Sequence, residues 1–320
     1  MCVNTCKAQF APAAGVAGTT AMYKDSSAFI NWASGCTVVR GPQDISNPSA
    51  GLATVGDSSL ALGQAGSNGV VSLGDGGQAI LTFQHPLMNG NGPDFAVFEN
   101  SFSDDYLELG FVEVSSDGLS FFRFPATSNI QDTLQTGPFG SSQATKINNL
   151  AGKYRALYGT PFDLQELAGT SGLDINNITH IKIIDVVGCI QNQYATLDMN
   201  GNKINDPWST PFASGGFDLD AVGVIHENTN GINSRFILNN VCVFPNPVSS
   251  PGQLKIESRA QTNAFIYISD QLGKQVIQIN TSLTAGNNII SLGTENLEAG
   301  IYFITIVVEN EIQTIKLIKL

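Results

Sequence analysis

Apolar residues recur along this chain at a period near two, not 3.6. Short runs rich in Val, Ile, Phe and Thr alternate with clusters of Gly, Asn and Asp, the pattern of strands joined by turns. The pattern predicts strands at Gly69–Leu73, Gln78–Phe83, Asp94–Glu99, Leu107–Ser115, Phe121–Pro125, His180–Val187 and Ala221–His226. Ile181–Val187 is largely apolar, as a central strand is. Helical spacing is scarce: the best helix candidate is Asn149–Tyr158 (NLAGKYRALY), with Pro161–Leu167 as a Pro-initiated turn of helix after it. Glu227–Ser234 is polar and aperiodic and reads as a linker. Beyond it the runs Val241–Val248, Gln253–Ser258, Ala264–Asp270, Lys274–Ile279, Asn288–Leu292, Gly300–Val308 and Glu311–Leu320 predict a second, smaller set of strands.

The expected fold is therefore all-β: a jelly-roll or β-sandwich passenger over 10–230, a linker at 231–240 and a small Ig-like β-sandwich at 241–320. A length of 320 residues suits two domains. Charged residues are 13%, against about 25% in ordinary globular chains. This argues against coiled coils and charge-driven disorder. The net charge of −12 divides unequally. Residues 241–320 carry five Lys/Arg and six Asp/Glu, or −1, which leaves −11 for residues 1–240. Nucleic acid and anionic membrane are disfavoured as partners, because neither meets a basic surface. No apolar run of 18 residues predicts a membrane span.

The start lacks the basic and apolar regions of a whole signal peptide, but Cys6-Lys-Ala-Gln9 resembles the tail of one. Residues 1–9 therefore read as its remnant. The five cysteines have no zinc spacing; Cys36 and Cys189 are either a disulfide or two buried thiols.

The C-terminal unit carries Phe244-Pro245-Asn246-Pro247, then Ile268-Ser-Asp-Gln-Leu-Gly273-Lys274. Leu297-Glu-Ala-Gly300-Ile-Tyr302-Phe303 follows, and a basic end, Lys316-Leu-Ile-Lys319. In this order the motifs resemble the type A sorting domain of the type IX secretion system of Bacteroidota. The resemblance implies export through the periplasm to the outer surface or the medium and contact with the type IX machinery. It also implies cleavage, with release or attachment to surface lipopolysaccharide. The passenger carries Ser72-Leu-Gly-Asp-Gly-Gly77, Gly92–Asn100 (GPDFAVFEN), Val112–Gly118 (VEVSSDG) and Gly215–Gly223 (GGFDLDAVG). These resemble a family of secreted bacterial cell-surface proteins, which implies a jelly roll of the galactose-binding type and brings no activity with it.

Chemistry in the passenger rests on oxygen ligands and paired carboxylates. Asp198, Asn200, Asn202, Ile204 and Asp206 occupy positions 1, 3, 5, 7 and 9 of a loop, an alternation that turns successive oxygens toward a hard cation such as Ca2+. The loop resembles those of EF-hands and dockerins, but has Lys203 and Ser209 where they have Gly and Glu; Asp218 or Asp220 is the carboxylate that would complete it. A polar Asn-Gly hairpin is the plain alternative. Glu99 and Glu108 are the best-placed pair for a glycosidase. His85, His180 and His226 lack any catalytic spacing and read as hydrogen-bonding residues beside strands. The leading expectation is a non-catalytic exported surface protein that binds a glycan-type ligand with structural calcium. The rivals are a secreted polysaccharide hydrolase and a structural adhesin.

Overall fold

The computed structural model describes residues 9–228, 238–249, 251–258, 261–308 and 311–320. Residues 1–8 of the expected signal-peptide remnant, residues 231–237 of the expected linker, and residues 309–310 lie outside these residues. The chain divides into two compact units, Met1–Asn230 and Gly231–Leu320.

The first unit holds β1 (Met22–Tyr23), β2 (Asn31–Trp32), β3 (Gly35–Val39), β4 (Val71–Ser72), β5 (Gln78–Leu87), β6 (Phe95–Glu99) and β7 (Gly110–Ser115). It continues with β8 (Phe122–Arg123), β9 (Thr127–Ser128), β10 (Ile147–Asn148), β11 (Tyr158–Phe162), β12 (Ile178–Asp185) and β13 (Asp218–Val224). One antiparallel sheet has the order β1-β11-β6-β13-β2, with β4 also on β13; the other has the order β3-β5-β12-β7-β8. Both sheets feed one apolar cluster. Phe95, Val97, Leu219 and Val222 come from the first sheet, and Leu81, Val112, Val114, Ile181 and Ile183 from the second. Since side chains alternate along a strand, β6 also buries Ala96 and Phe98 on its other face, against Phe29 and Trp32.

Asn149–Tyr158 is not a helix. Asn149 (φ 53°), Gly152 (φ 78°) and Leu157 (φ 70°) are left-handed, which a continuous helix does not allow. Ala151 instead pairs with Gly110 through two backbone hydrogen bonds of 3.1 and 2.8 Å. The i, i+4 spacing of Leu150 and Tyr154 reflects burial in a packed loop, not a helix face. Pro161 lies within β11, opposite Ala96. The short 3-10 turn begins later, at Leu164–Leu167, where the Asp163 side chain accepts from the Gln165 amide. His85 and Pro86 are inside β5. Cys36, Cys189 and Cys242 are free thiols, so Cys36 and Cys189 do not form a bridge.

The second unit holds β14 (Leu238–Phe244), β15 (Gln253–Ser258), β16 (Thr262–Ser269), β17 (Gln275–Leu283), β18 (Gly286–Ser291), β19 (Gly300–Val308) and β20 (Glu311–Lys319). Its sheets run β14-β15-β18 and β17-β16-β19-β20. They enclose Leu254, Ile256, Ile266, Ile268, Ile304, Ile306 and Leu317.

Candidate functional site

Three apolar rows of the passenger core end in an acid at the same end of the unit. On β6 the inward row is Phe95, Val97, Glu99; on β12 it is Ile181, Ile183, Asp185. The row of Val114, Val112 and Gly110 on β7 continues at the same parity to Glu108. The register places Glu99 opposite Leu219, and Asp185 opposite Gly110. Glu99 and Glu108 are only 1% and 7% exposed. Asp206 joins them from the segment before β13, its Oδ2 accepting from the Leu109 amide at 2.6 Å. Asp218 opens β13 and accepts from the Ser72 hydroxyl.

The backbone serves these acids unevenly. Asp185 is well held, accepting from Phe217 N at 2.7 Å and Gly76 N at 2.9 Å. Glu99 Oε2 accepts from Ser101 N at 2.8 Å, while its Oε1 is buried with no hydrogen-bond partner. Burial, followed by the charges of Glu108 and Asp218, pushes Glu99 well above the usual carboxylate range. Burial also raises Glu108 strongly, with Asp218 and Asp185 adding to it. Asp206 is raised by burial and by Asp185 and Glu108. Asp185 is raised by burial and by Asp75. Asp218 is pushed up to about 6 by burial, against the hydrogen bonds of Ser72 and Asn100 and the charge of Arg40.

Basic partners are elsewhere. The described ion pairs are Lys24–Asp25, Arg123–Glu113, Arg155–Asp104, Lys182–Glu113 and His226–Asp94, and none includes an acid of this layer. Glu113 on β7, the strand that follows Glu108, shows the contrast: it points to the other face and takes both Arg123 and Lys182. The Arg40 guanidinium donates to the carbonyls of Val55, Ser72 and Gly56.

The cation loop expected at Asp198 is divided by the fold. Asp198 accepts from the amides of Ser128, Asn200 and Asn202 at 2.8–3.1 Å, which closes a turn around Gly201 (φ 80°). Burial works to raise its pKa, but those hydrogen bonds together hold it below the ordinary value. Ile204 is in the core, and Asp220 accepts from Gly66 N with both oxygens. Asp206 and Asp218 belong to the buried layer instead. Among the described residues no three His, Cys, Asp or Glu groups are drawn up around one point as metal ligands. Sequence reasoning named Glu99 and Glu108 as a glycosidase pair and Asp206 and Asp218 as ligands of the Asp198 loop, and missed Asp185. The signal for Asp185 was present: an acid two residues past Ile183 and four past Ile181, on their face.

Above this end lie loops with exposed aromatics. Phe102 (74% exposed) stacks on Tyr106 with ring centres 4.4 Å apart and planes at 21°. Phe139 (73%) pairs with Phe212 (43%) at 6.0 Å and 31°. The loops are tied together by Ser142 N to Asp105 O (2.6 Å) and Trp208 N to Thr136 O (3.0 Å).

In the second unit the resemblance motifs meet. The Asn246 amide, between Pro245 and Pro247, donates to Lys316 O at 2.9 Å and accepts from Ile318 N at 2.9 Å. Lys319 Nζ donates to Ser249 O at 3.2 Å, and Tyr302 OH to Glu298 O at 3.0 Å. Gly273 (φ 81°) turns the chain between β16 and β17, where Asp270 accepts from two amides. Gly300 opens β19. Residues 242–320 match the secretion system C-terminal sorting domain family. A type IX sorting domain of this kind implies secretion to the cell surface or extracellular space and interaction with the type IX machinery. No curated protein matches the chain. Among solved structures, dimeric latent PorU from Porphyromonas gingivalis is similar at 14% identity over 76% of this chain and 18% of its own, with a TM-score of 0.25. The β-glucuronidase of Ruminococcus gnavus is similar at 12% identity over 92% of this chain and 46% of its own, with a TM-score of 0.22. The chain thus spans less than half the length of either. No helix of the described residues is long and apolar enough to cross a membrane.

Proposed function

We propose that the passenger is a non-catalytic, extracellular glycan-binding module delivered by its sorting domain. The observation that carries the reading is the two aromatic pairs led by exposed Phe102 and Phe139, the stacked Phe102–Tyr106 and the tilted Phe139–Phe212, on loops hydrogen-bonded to one another. Large apolar rings left in solvent mark interaction sites. Flat rings set among polar loops suit the apolar face of a sugar ring, with hydroxyls reaching the surrounding side chains. The burial of Glu99 and Glu108 supports binding over hydrolysis, since a glycosidase needs its two carboxyl groups on either side of a substrate bond.

A glycan array probed with the full chain tests this. Binding to a polysaccharide class, reduced about tenfold or more in Phe102→Ala and in Phe139→Ala with unchanged melting temperature, is the expected result. Release of reducing sugar from the bound glycan, or binding indifferent to both substitutions, would sink the reading.

A further inference from the structure

We propose that Glu99, Glu108, Asp185, Asp206 and Asp218 supply the protein oxygens of a calcium-class cation site at the acid-ended face of the passenger core. This stands independently of the glycan reading.

The argument begins with charge. Five buried carboxylates against one nearby guanidinium, Arg40, leave a formal −4, and a single dication halves it. Burying unpaired ions costs several kcal/mol each, so a fold retains them only where something compensates. The described ion pairs supply no compensation here, although Glu113, two turns of the pleat away on β7, has two cations.

The second observation is Glu99 Oε1. It is an acceptor sealed in the core with no donor, at the end of a row that leads into the acid layer. Native interiors seldom leave such an atom unmatched, and an orphan of this kind calls for an unseen partner. A water or a proton satisfies one oxygen. A cation satisfies the orphan and relieves the repulsion among its neighbours together.

The donor set selects the ion. All five groups are carboxylates, with no His or Cys among them, which suits a hard cation. Calcium accepts six to eight oxygens in irregular geometry, whereas magnesium demands a near-ideal octahedron. These acids come from five separate segments, which fits the more tolerant ion. No three of these groups stand around one point, so binding requires their side chains to turn inward; the Ser101, Leu109, Phe217 and Gly76 amides already fix one oxygen or more of Glu99, Asp206 and Asp185.

The test uses the full chain, stripped with chelator and dialysed, then titrated with calcium by calorimetry and by scanning calorimetry. One calcium per chain is expected, with a rise of about 5–10 °C in melting temperature at a hundredfold excess over Kd. Glu99→Gln and Asp185→Asn should each weaken binding at least tenfold, and Asp198→Asn should leave it unchanged. No heat and no melting shift at about 10 mM calcium, above the range of the weakest extracellular sites, overturns the proposal. So does affinity that survives Glu99→Gln or is lost in Asp198→Asn. If both carboxamide variants fail to fold, terbium decides with the native chain. Emission sensitised through Tyr106 and Trp208 and displaced by calcium supports the site, and bound terbium without sensitised emission refutes it.

Discussion

In the sorting unit the inward rows of β19 and β16 stay apolar, through Ile304, Ile306 and Val308 and through Ile266 and Ile268, and those of β15 and β20 end in Ser258 and Lys319, with no buried acid among the described residues. In the passenger, rows of equal apolar quality on β6 and β12 run into Glu99 and Asp185. Both units are built from the same period-two pattern and comparable core residues, so the acids are not required by the architecture. A unit that serves as an address needs only to be stable and recognisable. The passenger carries a cost in its core, and such local violations of folding logic concentrate where a protein does something.

The largest expected contrast between the two is at glycine. A Cβ on Gly152 would lie 1.7 Å from the Glu108 carbonyl oxygen, at φ +78°. Gly273 in the sorting unit has a similar φ of +81° and open space around it. Gly152→Ala should cost about 3 kcal/mol or more and Gly273→Ala about 1 kcal/mol, read from denaturant unfolding of the full chain. Equal costs would mean that the approach of the 149–158 loop to Glu108 is not a constraint, and the contrast would break.

A smaller effect concerns Lys153, buried in the same loop with its Nζ donating to the Ile147 carbonyl at 2.8 Å. Burial pulls its pKa down to about 8 from 10.5. Its charged form is therefore disfavoured in the folded state, and stability rises as pH climbs from about 8 to 10.5. Lys153→Met should flatten that rise and stabilise the passenger at pH 7 by about 1–3 kcal/mol, measured by melting across this range. A rise that persists in the variant assigns it to another group.

The smallest lies on the outer face of β7. Glu113→Gln removes the partner of Arg123 and Lys182 and should cost about 1 kcal/mol at low salt, shrinking as salt is added. A stabilising effect there would erase the distinction between the paired Glu113 and the unpaired Glu108 just ahead of its strand.

Much of this fold is legible in the pattern of residues. The strand cores of β5, β6, β12 and β13, and all seven strands of the second unit, coincide with period-two runs, because burial on one or both faces of a sheet leaves that trace. The loop 149–158 is not, because Leu150 and Tyr154 reproduce a helical spacing while Gly152 and two left-handed neighbours bend the chain. The acid layer was half visible. Glu99 and Glu108 stand out as carboxylates near each other in sequence, but their common burial comes from β6 and β7 lying in opposite sheets, which spacing does not encode. Asp198 has the look of a ligand because alternating oxygens also make a turn; whether they face an ion or their own amides depends on backbone direction.

Asn246 reaches across to Lys316 and Ile318, residues that lie some seventy positions further on. The clasp between Pro245-Asn246-Pro247 and the basic end is therefore discontinuous along the chain and exists only as a folded object. A receptor that reads it reads conformation, and a polypeptide broken off before Ile318 would lack the clasp.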